Sequence, residues 1–267
     1  MGIAPVLDSF KKGAITNRNN LIEQLEIAVT AAETMADKKV DSAYMTITGD
    51  HIRCMNTQGA IALNRSKANG TISNDPISQR DINKVLELTQ GIALPPDRDI
   101  LHTIPQEFIV DTLEKIDNPI GLSGRRLEGH VHLVTASTSG MDNLIESAEE
   151  LGININGLVF KPLASAIPTL TKDEMKLGVS LIDIGSTTTS IAVFNEGAVR
   201  HSAVIPVGSS SITNDIAVML QVSINEAEMI KLKYASAKSS MSSPASYISL
   251  LTAESVTISL TNAIGLK

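Results

Sequence analysis

The chain has 267 residues, enough for one large domain or two smaller ones with a substantial apolar core. An apolar content of 43% and a charged content of 19% are typical of a folded protein and exclude global disorder. The net charge of −7 and an aromatic content of 3%, without tryptophan, argue against a nucleic-acid-binding surface, which needs clustered cations or stacking rings.

The cysteine content and the hydropathy pattern bear on the compartment. Cys54 is the single cysteine, so the chain can form neither an internal disulfide nor a cysteine-based metal cage, which fits a reducing compartment. The chain as given shows no signal-peptide pattern and no apolar run of about 18 residues. We therefore expect a protein that is neither secreted by a signal peptide nor membrane-spanning.

The first part of the chain is predicted to alternate helices with strands. Apolar residues recur at helical spacing over residues 21–35, and strand-like alternation follows at residues 42–48 and near residues 58–63. A capping-box pattern at residues 78–81 begins a second helix, which a pair of prolines ends. The intervening residues 65–76 are polar and predict a loop.

Two longer strands are predicted next, at residues 100–110 and 127–135, joined through a turn at residues 117–124. His130 and His132 stand two apart on the second strand and therefore point to the same face. They are interpreted as surface residues, with a metal-binding pair as the alternative, because the sequence offers no third ligand beside them.

The next predicted elements are two helices and a short strand. Ser139 with Asp142 opens a helix, and a strand follows at residues 157–160. The second helix, at residues 163–170, is shortened or bent by Pro168.

The chain is organised around residues 177–194. A short apolar run ends near Asp183, a Gly/Ser/Thr turn follows, and a second apolar run begins at Ile191, which together predict a β-hairpin. A turn with backbone N–H groups, hydroxyls and a nearby carboxylate can hold a phosphate and its metal ion. The same pattern also fits an ordinary polar turn, and both interpretations stay open on these residues alone.

After the hairpin we predict a third strand and two helices. The strand covers residues 198–205, and apolar residues at helical spacing follow at residues 212–220. A capping box at residues 223–226 begins the second helix. Serine-rich residues 236–249 predict a flexible loop, and residues 256–260 a last strand.

Four segments upstream give the hairpin a more specific meaning. They are His-Thr-Ile-Pro-Gln-Glu-Phe at residues 102–108, Asn-Pro-Ile-Gly-Leu-Ser-Gly at 118–124, Leu-Glu at 127–128 and Val-His-Leu-Val-Thr at 131–135. In this order, and with the hairpin, they closely resemble FtsA, the family of bacterial actin-like cell-division proteins that link the FtsZ ring to the inner membrane. The resemblance extends from residue 13 to residue 234.

The resemblance implies an α/β chain with a partial actin/Hsp70-like (ribonuclease H-like) fold and a small α+β insertion domain. Residues 1–40 are expected to be the remainder of the first actin-like subdomain, and residues 41–135 the FtsA-type insertion domain. Residues 136–235 are expected to form the actin-like core with the phosphate hairpin, and residues 236–267 the start of a second-lobe subdomain or a flexible tail.

The resemblance also implies a site for ATP and Mg²⁺. Asp183 is expected to face the magnesium ion through water, and the turn to approach the phosphates. Thr213 and Asp215 are expected near the start of the following helix, with Glu228 and Lys231 flanking the adenosine. The turn residues concerned are Gly185, Ser186, Thr187 and Thr188.

The chain departs from the family pattern where the phosphates are expected. The family has Gly-Gly-Gly-Thr followed two residues later by Asp, whereas this turn has Ser and Thr after Gly185, and Ser190 replaces the Asp. Thr resists the positive φ that glycine adopts, and Gly208 is followed by three serines. By the resemblance, we expect four parts of the family to fall outside the chain: the first phosphate hairpin, the Gly-Gly adenosine loop, most of the domain for the FtsZ tail and the C-terminal amphipathic membrane helix. Phosphate binding is therefore expected to be weakened, although hydroxyls can partly substitute as donors.

By this resemblance the chain is an ATP-binding division scaffold that recruits and anchors FtsZ and later division proteins at the septum. It is expected to lie in the cytoplasm at the inner face of the cell membrane, to self-associate, and to act by binding and polymer contacts rather than by turnover. We assign no catalytic residue. Asp183 is the only candidate base beside the hairpin, and in the superfamily that the resemblance implies such a residue usually positions metal and water. The alternatives are an actin-like scaffold of pilus or secretion assembly, and an ATP-hydrolysing chaperone or sugar kinase.

Overall fold

The computed structural model describes residues 1–5, 9–63 and 75–236, and the backbone of four short strand pieces outside these ranges. The chain divides into two compact units. The first comprises residues 1–183 and 188–206, and the second residues 184–187 and 207–267.

Helices and strands alternate along the described chain. The helices are α1 (Arg18–Ala36), α2 (Gln79–Thr89), α3 (Thr138–Glu149), α4 (Lys161–Thr169), α5 (Lys172–Leu177), α6 (Ser209–Leu220) and α7 (Ile224–Tyr234). The strands are β1 (Phe10–Lys11), β2 (Ala14–Ile15), β3 (Ser42–Ile47), β4 (Arg53–Ala62), β5 (Arg65–Ser66), β6 (Ile72–Ser73), β7 (Arg98–Val110), β8 (Leu113–Ile116), β9 (Arg126–Ser137), β10 (Asn154–Phe160), β11 (Val179–Ile184), β12 (Thr189–Asn195), β13 (Ala198–Ile205), β14 (Tyr247–Ser249) and β15 (Thr257–Ser259).

In the first unit, the parallel strands β3 and β10 pack against two helices. The pairing runs from Ser42 opposite Asn154 to Ile47 opposite Phe160. Leu21 of α1 and Leu144 of α3 pack with Ile47 in one apolar cluster. The first predicted helix and these two predicted strands are confirmed, because their apolar residues meet in this shared core.

The same unit contains a four-stranded antiparallel sheet in the order β4-β9-β7-β8, with α2 packed on it. The core beneath α2 includes the fully buried Val85 and Leu127. The backbone N–H and hydroxyl of Ser78 donate to Asp81, so the predicted cap of α2 is confirmed. The predicted start of β4 was wrong: the strand begins at Arg53, in a polar stretch that β9 pairs along its whole length. Strand β8 was missed.

Strands β11, β12 and β13 form a three-stranded sheet in sequence order. The predicted hairpin and third strand are therefore confirmed. Ala192, Phe194 and Val199 pack with Ala166 of α4 in its core. Helix α5 was missed, and α3 is capped by Ser137 rather than by the expected Ser139.

The second unit is built on α6 and α7. Ile216 and Leu220 of α6 pack with Ala227 and Ile230 of α7, which confirms both predicted helices. The short strands β14 and β15 pair antiparallel. The predicted loops at 65–76 and 236–249 were wrong where β5, β6 and β14 form strands, and most of their other residues lie outside the described residues. Strand β15 confirms the predicted last strand. Among the helices that the structure describes, none combines the length and apolarity needed to cross a membrane.

Candidate functional site

Asp183 stands near the end of β11, and both of its carboxylate oxygens are held by α4. The ammonium of Lys161 donates to Oδ1 at 3.0 Å, and the hydroxyl of Ser165 donates to Oδ2 at 2.8 Å. Lys161 and Ser165 are one helical turn apart and therefore share one face of α4. The hairpin carboxylate is thus anchored to the preceding helix by an ion pair and a hydrogen bond.

The pKa of Asp183 reflects two opposing effects. Partial burial raises it, but the hydrogen bonds from Lys161 and Ser165 and the positive charge of Lys161 together lower it below its ordinary value. Asp183 is therefore ionised at neutral pH.

The surroundings of Asp183 do not fit a magnesium ion. Magnesium requires oxygen ligands in near-octahedral geometry and usually keeps several waters. One oxygen of Asp183 faces the ammonium of Lys161 and the other accepts the hydroxyl of Ser165, so a metal ion or its bound water would have to displace one of these partners. A divalent cation at this carboxylate would have to approach the positive charge of Lys161.

Ser190, which replaces the family's aspartate, is buried in β12. Its hydroxyl hydrogen-bonds to the hydroxyl of Thr48, just beyond β3, with 3.0 Å between the oxygens. Thr188 is buried as well. Both side chains therefore join the interior of the first unit.

The turn is bonded to the start of α6 within the second unit. The carbonyl oxygens of Gly185 and Ser186 accept the backbone N–H groups of Ser209 and Ser210 at 3.0 and 2.9 Å. The hydroxyl of Ser210 also donates to the Ser186 carbonyl. Two of the N–H groups with which a helix start binds anions are therefore already paired.

The backbone of the turn does not take up the positive φ that glycine allows. The residues with positive φ in the described chain do not include Gly185, Ser186, Thr187 or Thr188. The turn follows a path that β-branched residues can adopt, and the expected weakening of phosphate binding stays a prediction. The close approach instead involves Gly208, where an added Cβ would lie 2.4 Å from the Ser186 carbonyl oxygen.

Three of the four residues predicted on the last two helices meet in one cluster of the second unit. The ammonium of Lys231 lies 2.6 Å from the Glu228 carboxylate and donates to the hydroxyl of Thr213 at 2.9 Å. Thr213 in turn donates to Glu228 at 2.5 Å. The hydrogen bond from Lys231, followed by that from Thr213, holds the pKa of Glu228 below its ordinary value. Asp215 is exposed on α6, outside this cluster.

A polar cluster that the sequence analysis missed surrounds His132. Its Nδ1 lies 2.6 Å from Asn56 Oδ1 and its Nε2 lies 2.7 Å from Ser202 Oγ. Since an amide oxygen only accepts, Nδ1 carries the proton and Nε2 accepts from Ser202. The surface interpretation of His132 was wrong, because β13 covers this face of the sheet. His130 is half-buried between the carboxylates of Glu107 and Glu128.

Lys161 and Ser165 were not predicted as site residues from the sequence. Lys161 is the only cation of α4 and directly follows Phe160, the buried last residue of β10. A charged residue at that junction was a usable signal, but only the packing of α4 beside β11 identifies its partner.

Comparison with known proteins assigns the family. A family model described as "SHS2 domain inserted in FTSA" matches residues 49–135, and one described as "Cell division protein FtsA" matches residues 180–262. Cell division protein FtsA of Pseudomonas aeruginosa is 39% identical over 227 residues, which cover 85% of this chain and 52% of that protein. The chain belongs to the FtsA family. The Escherichia coli K12 member is 35% identical over 230 residues, covering 86% of this chain and 53% of that protein.

The matches cover most of this chain but only part of each related protein. The chain spans about half the length of the curated relatives that it matches. A solved PilM–PilN type IV pilus biogenesis complex aligns with a TM-score of 0.57 at 14% identity, covering 85% of this chain and 59% of that one, which shows the fold alone. The predicted actin-like fold with an inserted domain is confirmed. The domain boundaries and the nucleotide-site residues stay predictions.

Proposed function

We propose that the chain is part of a cell-division scaffold that works by binding rather than by catalytic turnover. The observation that carries this proposal is the pairing of the polar groups in the candidate site. Asp183 is paired with Lys161, Glu228 with Lys231, and the N–H groups at the start of α6 with the turn carbonyls. A general base needs a carboxylate that can take a proton from a substrate, and these carboxylates are already engaged.

The partners we propose are FtsZ, other division proteins and further copies of the chain. Membership in the FtsA family supports a division partnership in general, and the inserted sheet domain, which has its own core beneath α2, offers a folded surface for such contacts. We propose that these contacts form at the inner face of the cell membrane, at the septum.

We further propose that the chain binds ATP weakly. An incoming phosphate must compete with the Gly185 and Ser186 carbonyls for the N–H groups of Ser209 and Ser210. It gains hydroxyl donors on the turn in return, which compensates only in part.

A pull-down tests the proposed partner. With this chain as bait, we expect retention of purified FtsZ, weaker than by a family member that contains the whole domain for the FtsZ tail, and no retention of a PilN-type pilus protein. Retention of the pilus protein alone would favour the rival scaffold function, and loss of both would contradict the division partnership.

Calorimetry and phosphate release test the proposed nucleotide chemistry. We expect ATP binding weaker than micromolar and no phosphate release above a buffer control. Micromolar affinity would contradict the weak-binding proposal, and sustained phosphate release would contradict the absence of turnover.

A further inference from the structure

We propose that Lys161 takes the place of a divalent cation at Asp183, so that this chain binds nucleotide phosphates without a metal ion. The nucleotide half of this inference rests on the proposed function. The metal half concerns Lys161 and Asp183 alone and can be tested without nucleotide.

The first observation is the charge balance at the Asp183 carboxylate. The Lys161 ammonium lies 3.0 Å from Asp183 Oδ1, an ion-pair distance that leaves this carboxylate neutralised. Magnesium bound directly or through water would stand beside a like charge, and the two cations would repel each other. Lysine and magnesium therefore compete for the same oxygen.

The neighbours of Lys161 in the chain fix its position. Phe160, directly before it, is fully buried and donates its backbone N–H to His102 Nε2 at 2.9 Å. Ser165, one turn later, holds the second oxygen of Asp183 at 2.8 Å. The backbone at both ends of this turn is thus fixed, while the side chain of Lys161 keeps 32% of its surface exposed. Its ammonium can therefore meet an anion from solvent.

The hairpin supplies no second carboxylate to offset Lys161. Between residues 179 and 195, Asp183 is the only acidic residue. Ser190, at the position where the family pattern has an aspartate, is buried and bonded to Thr48. A magnesium ion would find one neutralised carboxylate here, where the family pattern has two aspartates.

Paramagnetic Mn²⁺, used as a stand-in for Mg²⁺, tests the metal half by NMR. We expect the amide signals of residues 182–184 to broaden in Lys161→Gln at Mn²⁺ concentrations at which those of the parent chain stay sharp. The parent chain should need about tenfold more Mn²⁺ for the same broadening, the ratio given by losing one charge-assisted contact. Lys172→Gln, at an exposed lysine of α5, is the matched control and should behave like the parent chain. The double variant Lys161→Gln/Asp183→Asn should lose the broadening.

Two outcomes of that experiment would overturn the inference. One is equal broadening of residues 182–184 in the parent chain and in Lys161→Gln. The other is a folded Lys161→Gln variant, identified by its dispersed spectrum, whose signals stay sharp at every Mn²⁺ concentration.

An ATP titration followed by chemical shifts tests the nucleotide half. In the parent chain the affinity should change by less than about twofold between Mg²⁺ and EDTA, whereas Lys161→Gln should bind about tenfold more weakly in EDTA and recover with Mg²⁺. An affinity of the parent chain that depends on Mg²⁺ would overturn the inference and leave the proposed function intact. If no variant binds ATP in either buffer, the proposed ATP binding and the nucleotide half fail together, and the Mn²⁺ result still decides the metal half.

Discussion

His132 shows how burial changes the chemistry of a single residue. The imidazole lies between the inserted sheet and β13, with Asn56 on one nitrogen and Ser202 on the other. Gln106 completes the cluster by donating to the Val199 carbonyl at 2.6 Å. Burial, with a smaller effect from the charge of His201, lowers the pKa of His132 to about 4. The folded protein therefore holds this ring neutral.

This lowered pKa predicts a loss of stability in mild acid. The pKa of His132 lies below the ordinary value of 6.5, so the unfolded chain takes up the proton first as the pH falls. The contribution of the neutral ring to the free energy of unfolding is fully present above pH 6.5. It is lost as the pH falls towards 4, at up to about 1.4 kcal/mol per pH unit. Urea unfolding at a series of pH values should show a shallower decline for His132→Asn than for the parent chain.

Direct titration provides the control, because His51 and His102 also have lowered pKa values and add to the decline in stability. NMR of the folded parent chain should show the His132 ring titrating near its lowered value. A ring that titrates near 6.5 in the folded state would contradict the argument.

At the scale of elements, the junction between the turn and α6 is held by hydrogen bonds between backbone groups. Gly208 lets the chain pass close to the Ser186 carbonyl, and the next two N–H groups bond to the turn. The three serines after Gly208 fit this role, since Ser210 adds its hydroxyl to the same carbonyl. The junction is thus closed by the protein's own groups.

Replacing Gly208 with alanine should open this junction. The added Cβ would lie 2.4 Å from the Ser186 carbonyl oxygen and 2.5 Å from that of Gly185, so one side must move. We expect amide hydrogen exchange at Ser209 and Ser210 to accelerate about tenfold, the change for loss of a hydrogen bond. Gly157→Ala is the control, because its nearest neighbour would be Tyr44 at an ordinary 3.4 Å. Unchanged exchange in Gly208→Ala would show that the close approach is not needed.

The missed elements have a common cause. Strand β8 lacks an alternating apolar pattern, and α5 is a short helix whose Thr171–Glu174 capping box was the only local signal. Strand β4 begins in polar residues that β9 pairs throughout. Such elements form because a neighbour supplies hydrogen bonds or burial, which periodicity cannot show.

At the scale of the whole molecule, exposed apolar side chains point to association. In the second unit, Met229 and Leu232 of α7 are 60% and 76% exposed. In the first unit, β3 and β10 pair only with each other within the described residues, and Tyr44 of β3 is exposed. Apolar surface and an open strand edge both favour contacts between chains.

We therefore expect the mean particle size in light scattering to rise with protein concentration. The double variant Met229→Lys/Leu232→Lys should stay monomeric to higher concentration, because it removes apolar surface from α7 without touching its buried face. Asn214→Lys/Asn225→Lys adds the same charge at exposed polar positions and should associate like the parent chain. A strictly monomeric parent chain at high concentration would contradict the prediction.

The sequence by itself determined the hairpin, through apolar periodicity and turn residues. Through the resemblance of specific segments to FtsA, it also determined the family and the actin-like fold with its inserted domain. The tertiary structure decided the state of the candidate site. Only packing brings Lys161 to Asp183, buries Ser190 and His132, and closes the turn onto the start of α6. These partners are far apart in the chain, and a single sequence carries no distance between them. The hairpin can therefore be predicted from its own residues. The groups that pair with its carboxylate, and the carbonyls that pair with the N–H groups at the start of α6, are seen only in the folded chain.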